Sequence, residues 1–453
     1  MDVAPFKSSE ENLFSLLLGG DILLLLLVLT GLSEAVSHSE PGIRMSALLF
    51  VCVTVLTSSI LDLYTPIAPD KTKSTLGQAL LAISIPVVIT MLLFSQDSSD
   101  YLFWGLVGCA FLVLQRGWRA VVNALLSRQV FLKHVLVIGT SERALEARRL
   151  VELSRTHDFS GFVQSTYDLR SDELNEEDIV CDIDEIAEYV SSHPVDVIVN
   201  ALKERRGNLP TAQLLRCKLL GAATVDFPTF YEHMAGKLPI EDMNPSWLVF
   251  NSGFHVSRLS RLVKRWWDIL LAAVGLAISL PLLPLIAVAV KLTSPGPVLY
   301  QQTRVGEGGK TFTILKFRSM RADAEARTGA VMSKPGDTRI TPIGQFLRRS
   351  RLDELPQLFN VLRGDMSFIG PRPERPEFVE EIVKSTPYYV ERHFIKPGLT
   401  GWAQIKYPYG DSLGDTVEKL RYDLYYINNF NFLLDVFILL ETVKVVLKQK
   451  YGR

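Results

Sequence analysis

The chain has 453 residues, 48% of them hydrophobic, and a net charge of −1. This length suits two or three domains, and the hydrophobic content is high for a soluble protein of this size, which indicates a membrane protein. The four cysteines form no C-x-x-C pair and two lie in apolar segments, which argues against a disulfide framework and a zinc site. No nucleic-acid partner is expected.

Four apolar stretches predict a bundle of transmembrane helices within residues 1–126. Each approaches the ~20 residues that a spanning helix needs, and they cover residues 13–32, 45–63, 78–94 and 101–114. Lysine or arginine follows the second and fourth stretches, whereas residues 95–100 carry neither. The positive-inside rule therefore places the N-terminus and everything after residue 116 in the cytoplasm. No cleavable signal peptide is expected, and Asp21 is either functional or a helix-packing residue.

Residues 127–250 predict a cytoplasmic α/β domain with a Rossmann-like parallel sheet. Three buried-strand runs alternate with helical segments, at residues 134–139, 194–199 and 222–227. The dinucleotide fingerprint is degraded, because Gly139, Ser141 and Ala144 occupy the positions of its three glycines. Asp168 is a candidate acid for a ribose. A structural or regulatory role is nevertheless favoured over a working nucleotide site.

The apolar segment 266–292 is long enough to cross the bilayer, but three observations argue that it does not. Both flanks are basic, and Pro281 and Pro284 interrupt the helix near its middle, which leaves backbone groups in need of partners. Crossing would also separate the arginine-rich region that follows from cytoplasmic nucleotides. We therefore expect residues 258–294 to form a re-entrant membrane helix that breaks at these prolines. A proline-kinked spanning helix is the alternative.

Cationic and carboxylate side chains accumulate after this segment. Lys316 and Arg318 share one face of a predicted strand by their spacing, which favours phosphate binding. Asp353 precedes a helical stripe of apolar residues, so it is either the N-cap of that helix or a group placed beside a phosphate at the helix N-terminus. In the second case Asp353 could act as nucleophile and Glu354 could hold a divalent cation. The turn at residues 370–373 is stiff and would fix the direction of Arg372. Three arginines precede the carboxylates, at positions 348, 349 and 351.

The chain from about residue 261 to its end resembles the monotopic phosphoglycosyl transferases, the bacterial polyprenyl-phosphate sugar-1-phosphate transferases. The resemblance rests on motifs that follow one another in the family's order: KRWWD, SPGPVLYQQTRVG, FTILKFRSMR, LDELPQLFNVLRGDMSFIGPRPE and KPGLTGWAQI. Four N-terminal helices and a degenerate Rossmann-like domain resemble the large form of that family, which primes exopolysaccharide synthesis. In that form the middle domain is not thought to be catalytic.

The resemblance implies a ping-pong reaction that depends on Mg²⁺. Asp353 would attack the β-phosphate of a UDP-sugar, release UMP and carry the phospho-sugar until polyprenyl (undecaprenyl) phosphate accepts it. Glu354 matches the family's magnesium position. The basic positions that contact phosphate match Lys316 and Arg348, with Arg304 and Arg372 assigned as supporting contacts. The product would initiate exopolysaccharide or glycoconjugate synthesis.

The resemblance further implies a catalytic domain over residues 295–453, on the cytoplasmic face of the bacterial inner membrane. Downstream glycosyltransferases are expected partners, and a homodimer is compatible with the sequence. The chain departs from many relatives at residues 406–410, where KYPYG replaces a glycine-arginine turn, so the identity of the sugar stays open. The last segment, residues 430–447, predicts an amphipathic helix that lies on the membrane or packs on the catalytic domain.

Two other functions are weighed against this one. An NAD-dependent nucleotide-sugar epimerase or dehydratase would use the Rossmann-like domain, but Ser141 replaces a glycine there and no Tyr-x-x-x-Lys pair follows in that domain. A non-catalytic membrane scaffold or sensor would leave the arginine and carboxylate constellation unexplained.

Overall fold

The computed structural model describes residues 9–36, 41–64, 72–95, 98–127, 132–154, 156–165, 168, 170–202, 210–243, 245–251, 253–254, 256–321, 324, 337–407 and 413–447. The chain folds as two compact units, Met1–Pro239 and Ile240–Arg453.

Long apolar helices open the first unit. They are α1 (Ser9–Val36), α2 (Pro41–Ile60), α3 (Thr72–Phe94) and α4 (Ser98–Ser127). Three of them carry stretches long and apolar enough to cross a membrane, at Leu13–Gly31, Gly77–Phe94 and Asp100–Leu125. The apolar part of α2, Met45–Ile60, is shorter. The prediction of a membrane protein with an apolar helical N-terminal region is therefore confirmed, with three helices that meet the length of a span.

Asp21 on α1 is a helix-packing residue. Its side chain is buried, and its Oδ2 accepts hydrogen bonds from Arg119 Nη2 at 2.9 Å and from Gln115 Nε2 at 2.7 Å, both on α4. Arg119 also donates to the backbone carbonyl of Leu63. A carboxylate away from water needs such partners, and these ones connect α1 to α4. Of the two expectations for Asp21, the structure favours helix packing.

The rest of the first unit is built on a five-stranded sheet. All its neighbouring strands are parallel, in the order β3-β2-β1-β4-β5. The strands are β1 (Lys133–Ile138), β2 (His157–Gln164), β3 (Ile179–Asp182), β4 (Val197–Asn200) and β5 (Ala223–Asp226). The helices are α5 (Glu142–Leu153), α6 (Ile186–Ser192), α7 (Thr211–Leu219) and α8 (Phe227–Ala235). Alternate residues of β1 enter two different buried clusters, so helices cover both faces, and the predicted parallel sheet is confirmed.

Asp168 contacts the turn that follows β1. Its Oδ2 accepts hydrogen bonds from the backbone amides of Thr140 at 2.8 Å and Ser141 at 3.2 Å. In doubly wound α/β domains that bind dinucleotides, the amides after the first strand face the pyrophosphate. A side chain on Gly139 would lie 2.7 Å from the same carboxylate oxygen. Asp168 therefore has partners within this turn, and its contact with a ribose stays a prediction.

The second unit begins with α9 (Pro245–Phe250) and a bent pair of apolar helices, α10 (Arg258–Ser279) and α11 (Leu282–Thr293). The two axes differ by 64°. Pro281 is the N-cap of α11 and marks the break. Pro284 lies in the first turn of α11, where its missing amide needs no helical partner, so the break predicted at both prolines lies at Pro281 and not at Pro284.

The remaining elements surround these two helices. The strands β6 (Leu299–Val305) and β7 (Thr311–Phe317) form an antiparallel hairpin, and β8 (Ser367–Ile369) pairs in parallel with β9 (Gly398–Thr400). The helices are α12 (Pro342–Arg349), α13 (Gln357–Arg363), α14 (Pro376–Ser385), α15 (Trp402–Lys406), α16 (Leu413–Asn428) and α17 (Phe432–Leu447). One buried cluster joins α10, β7 and α13, through Ala272, Ile314, Leu358, Val361 and Met366.

The C-terminal helix α17 packs on this unit. Leu434 and Ile438 are buried, and the ring centroids of Phe437 and Trp402 lie 5.8 Å apart. The hydroxyls of Thr400 and Thr442 are 2.7 Å apart. Of the two expectations for this helix, the structure supports packing on the other elements of the second unit.

Candidate active site

Asp353 and Glu354 lie in a single 3-10 turn, Leu352–Glu354, between α12 and α13. Arg351 enters the turn with φ of 60°, a left-handed conformation that costs a non-glycine residue roughly 1–3 kcal/mol. Helix α13 begins only at Gln357, and no side chain caps its N-terminus. The prediction that Asp353 is the N-cap of this helix is therefore wrong. The extra turn separates the carboxylates from the helix.

Glu354 lies close to three cationic side chains. Its Oε1 accepts hydrogen bonds from Lys316 Nζ at 3.0 Å and from Arg372 Nη2 at 2.9 Å, and Arg351 Nη1 lies 3.9 Å away. Burial alone would raise the pKa of Glu354, but the charges of Lys316, Arg372 and Arg351 outweigh burial and hold this pKa below its usual range. Glu354 therefore stays ionised at neutral pH and holds Lys316 and Arg372 in place.

Asp353 lies in the opposite electrostatic situation. It is 7% exposed, and its Oδ1 is buried without a hydrogen-bond partner among the described residues. Burial and the neighbouring charge of Glu354 raise the pKa of Asp353 to about 6, against the opposing effect of Lys316, Arg348 and Arg351. A carboxylate that is weakly compensated and still ionised at neutral pH is suited to nucleophilic attack.

Two more predicted phosphate contacts lie around this pair. Arg348 Nε donates to Ser319 Oγ at 3.0 Å, and its charge lowers the pKa of Asp353. Arg372 also donates from Nη1 to Gln404 Oε1 at 3.3 Å, and its carbonyl accepts from Arg392 Nη2 at 3.0 Å. The guanidinium of Arg372 thus lies against Glu354 and Gln404, while the predicted stiffness of its turn stays a prediction.

Arg318 and Arg304 contact other parts of the chain. Arg318 Nη2 donates to the carbonyl and the hydroxyl of Ser294, at 2.7 and 2.9 Å, which connects β7 to the end of α11. Arg304 Nη1 donates to the carbonyl of Pro373 at 3.1 Å and lies 3.5 Å from Glu374 Oε2. Arg304 therefore stabilises the turn that carries Arg372. Direct contact of these two arginines with a phosphate stays a prediction.

Two amides near the carboxylates were missed by the sequence analysis. Gln357 is 3% exposed, and its Nε2 has no hydrogen-bond partner within the described part of the chain. The same holds for Nε2 of Gln404, whose Oε1 holds Arg372. Buried donors without partners are costly, so such groups at a site are typical of positions that a ligand or water completes. A glutamine in a sequence does not by itself indicate this role, although Gln357 lies in the LDELPQLFN motif and Gln404 in the GWAQI motif.

Close backbone contact explains the glycines around Arg372. A Cβ on Gly370 would lie 2.4 Å from the carbonyl oxygen of Lys396, and one on Gly401 would lie 2.2 Å from the carbonyl oxygen of Gly370. Both distances are shorter than any real contact allows. These glycines therefore let β8 and β9 approach closely, which fixes the position of the turn that follows β8.

Taken together, the cluster suits chemistry on a phosphate ester. One carboxylate has a raised pKa and an unpartnered oxygen, while the other positions two cations beside it. Positioned cations stabilise the charge that develops on phosphoryl oxygens during transfer.

Comparison with known proteins points the same way. A sequence model described as bacterial sugar transferase matches residues 259–449, which include the whole cluster. A UDP-glucose:undecaprenyl-phosphate glucose-1-phosphate transferase of Xanthomonas campestris pv. campestris is 33% identical over 369 residues, which cover 77% of this chain and 73% of that protein.

Two other relatives match over about half of this chain. A UDP-N-acetylgalactosamine-undecaprenyl-phosphate N-acetylgalactosaminephosphotransferase of Aeromonas hydrophila is 41% identical over 234 residues, 52% of this chain and 54% of that protein. A UDP-glucose:undecaprenyl-phosphate glucose-1-phosphate transferase of Escherichia coli (strain K12) is 42% identical over 208 residues, 45% of this chain and 44% of that protein. The matched segments thus span about half the length of these two relatives. The extended similarity to the Xanthomonas protein, together with the motifs that form the cluster, shows that the chain belongs to the bacterial sugar transferases, a family of polyprenyl-phosphate sugar phosphotransferases.

Proposed function

We propose that this protein transfers a sugar-1-phosphate from a UDP-sugar to polyprenyl phosphate in the membrane, releases UMP, and thereby initiates synthesis of an exopolysaccharide or related glycan. The observation that carries the proposal is the buried, unpartnered carboxylate oxygen of Asp353 beside two fixed cations. The names of the relatives give undecaprenyl phosphate as a substrate, and they give either glucose or N-acetylgalactosamine as the sugar. The sugar is therefore a question for experiment.

In the first half-reaction, a carboxylate oxygen of Asp353 attacks the β-phosphorus of the UDP-sugar. A bond forms between this oxygen and phosphorus, and the bond from the β-phosphorus to the bridging oxygen breaks, so that UMP leaves with the electron pair. In the second half-reaction, a phosphate oxygen of polyprenyl phosphate attacks the same phosphorus. The acyl phosphate bond breaks, Asp353 is regenerated as a carboxylate, and the lipid carries the sugar on a diphosphate.

Lys316 and Arg372 neutralise the diphosphate in this proposal. The two cations are held by Glu354 before substrate arrives, so little reorganisation is needed when negative charge reaches them. The raised pKa of Asp353 fits a nucleophile that is ionised above about pH 6. Below that pH, protonation would remove the attacking electron pair, and the first half-reaction should slow.

Mg²⁺ is the proposed cofactor, and the residues present fit it. Mg²⁺ is commonly held by one or two carboxylates together with the phosphates of the substrate. Glu354 would hold the ion, with Asp353 adjacent, and Glu354 already shares one oxygen with Lys316 and Arg372. When bound, the ion supplies further positive charge to the diphosphate oxygens.

The bent pair α10–α11 is proposed to enter and leave the membrane on the cytoplasmic side. The 64° bend at Pro281 and exposed apolar residues on both helices support this proposal. In a background without the native cysteines, cysteines placed at Arg258 and Thr293 should react from the same side of the membrane with an impermeant maleimide. Labelling from opposite sides would mean that the pair spans the bilayer.

The chemical proposal is tested with the purified full-length protein in nanodiscs, Mg²⁺ and a panel of UDP-sugars, first without lipid acceptor. Intact-protein mass spectrometry should detect a phospho-sugar adduct on Asp353, with UMP released in equal amount. Asp353→Asn should form no adduct, and undecaprenyl phosphate should discharge the adduct of the unmodified protein. UMP release that continues in Asp353→Asn would contradict the role of this carboxylate, and an adduct on another residue would relocate the nucleophile.

A further inference from the structure

A second cationic site lies in the same unit, away from Asp353. A cavity of about 500 Å³ opens beside the start of α10, and its lining includes Arg261, Lys264, Arg265 and Lys396. None of these residues contacts Glu354. Arg265 donates through Nη1 and Nη2 to the carbonyls of Val361 and Leu362, both at 2.6 Å, at the C-terminal end of α13. Asp353 precedes the other end of that helix, whose seven residues span about 10 Å.

The basic side chains of the cavity differ in how far they are neutralised. Lys264 Nζ lies 2.9 Å from Asp435 Oδ2 and 3.5 Å from Asp268 Oδ1, so its charge is compensated by two buried carboxylates. Within the described part of the chain, the hydrogen bonds of the Arg265 guanidinium go to neutral carbonyls. The guanidinium of Arg261 and the ammonium of Lys396 form no hydrogen bond, ion pair or ring contact with any described residue.

The acidic side chains of the lining do not cancel this charge. Among the described residues, the lining contains two carboxylates, on Asp268 and Glu307. Asp268 is occupied, because its Oδ1 also accepts hydrogen bonds from Ser367 Oγ and from the amide of Phe368, both at 2.9 Å. One carboxylate, that of Glu307, therefore faces three uncompensated cations, so the cavity attracts an anion.

Most of the remaining lining is apolar. Phe254, Phe394 and Phe430 line the cavity beside the cations, and such a wall suits the hydrocarbon part of an amphiphile. The outer side of α10 carries a stripe of exposed apolar side chains: Leu259, Leu262, Val263, Trp266 and Leu270. This stripe occupies the same helical turns as Arg261 and Arg265. A bilayer against it would place the cavity at the level of the lipid headgroups, where tryptophan is also enriched.

We propose that this cavity binds the phosphate headgroup of an anionic membrane phospholipid. Arg265 would offer its guanidinium to the phosphate, and Arg261 and Lys396 would supply the two charges that have no partner among the described residues. The aromatic wall would take the glycerol and the first carbons of the acyl chains. The exposed stripe on α10 favours a lipid over a soluble phosphate. This site is separate from transfer chemistry, so it can be measured without any sugar donor.

The test compares lipid binding by the full-length protein and three charge variants. Native mass spectrometry in a neutral detergent would follow titration with phosphatidylglycerol, with phosphatidylcholine as the uncharged reference. In Arg261→Gln/Lys396→Gln, two cations that each contribute about 1 kcal/mol near anionic lipid are removed, so phosphatidylglycerol should bind about 30-fold more weakly. Arg261→Lys/Lys396→Arg keeps both charges and should bind within about threefold of the unmodified protein.

The matched control is Arg258→Gln/Lys384→Gln. It removes one arginine and one lysine that are exposed and lie outside the cavity lining, on α10 and α14. An equal loss in this control would show that general surface charge attracts the lipid, and the proposal would fail. Undiminished binding in Arg261→Gln/Lys396→Gln would overturn it as well. Glycerol 1-phosphate that binds as tightly as phosphatidylglycerol would mean that the cavity takes a soluble anion.

Discussion

Replacing Asp353 by asparagine should stabilise the protein at neutral pH while it abolishes transfer. Burial raises the pKa of Asp353 from 3.8 to about 6, so the charged carboxylate is less stable in the folded protein than in the unfolded chain. A difference of about two pKa units corresponds to about 3 kcal/mol. Because the folded pKa is the higher one, the contribution of Asp353 to stability is fully present below about pH 4 and is lost as the pH rises through about 6. Asparagine does not ionise, so the Asp353→Asn variant does not lose this contribution to stability as the pH rises.

The neighbouring substitution Glu354→Gln provides a control of opposite sign. The pKa of Glu354 is lowered in the folded protein, so its contribution to stability is present above its ordinary pKa and is lost only as the pH falls through the depressed value. At neutral pH the amide would leave Lys316 and Arg372 without their shared carboxylate. Removal of one partner of a buried ion pair costs about 3–5 kcal/mol, so Glu354→Gln should be destabilised.

Thermal unfolding of the three proteins in one detergent, between pH 4.5 and 8, separates these effects. For a unit of about 200 residues, 1 kcal/mol shifts the unfolding temperature by roughly 2–4 °C. Asp353→Asn should therefore unfold about 6–12 °C above the unmodified protein at pH 7.5, and this gap should shrink to about 2–4 °C at pH 4.5. A lower unfolding temperature for Asp353→Asn at pH 7.5, or a gap that does not change with pH, would refute the argument. Scan rates must be equal, because irreversible unfolding makes the temperature rate-dependent.

Three further substitutions test other parts of the structure. Gly370→Ala should lower the unfolding temperature and the rate of transfer together, because its Cβ would lie 2.4 Å from a backbone oxygen of Lys396 and would push the following turn aside. An unchanged unfolding temperature and an unchanged rate would show that β8 and β9 can separate. Arg392→Met should lower the free energy of unfolding by about 3–5 kcal/mol, since it leaves the buried carboxylate of Asp423 without the guanidinium at 2.8 Å. Denaturant titration would measure this loss. An unchanged free energy of unfolding would count against a charged Asp423. Asp168→Ala should free two backbone amides, so millimolar phosphate should raise the unfolding temperature of this variant and leave that of the unmodified protein unchanged. Chloride at equal ionic strength is the reference. Equal responses of the two proteins would mean that phosphate binds elsewhere.

Much of the fold was predictable because local pattern and global structure agree. The apolar stretches of α1, α3 and α4, the buried runs of β1 and β4, and the break at Pro281 all follow from hydrophobic period or from backbone chemistry. The N-cap prediction for Asp353 was wrong because the turn depends on the left-handed backbone of Arg351, and arginine gives no local signal for that conformation.

The site was predictable in its residues and less so in its contacts. Lys316, Glu354 and Arg372 lie far apart in the chain and come together through β7 and β8, which residue patterns do not show. The two-residue spacing predicted that Lys316 and Arg318 share one face, but it could not show that Arg318 donates a hydrogen bond to Ser294. Of the segment 406–410, which the resemblance ties to nucleotide or sugar recognition, residues 408–410 lie outside the described residues. The covalent intermediate and the bound Mg²⁺ stay predictions.

The two adjacent carboxylates are not interchangeable, and this has a consequence for selectivity in the cell. Lys316 and Arg372 already share a carboxylate oxygen of Glu354, so a small anion such as free phosphate must compete with a permanent internal anion for them. In the proposed reaction, a donor with two phosphates would offer more oxygens to the same cations than a single phosphate does. The resting protein would thus discriminate against abundant inorganic phosphate, and Asp353 would remain available for attack instead of being neutralised by the cations beside it.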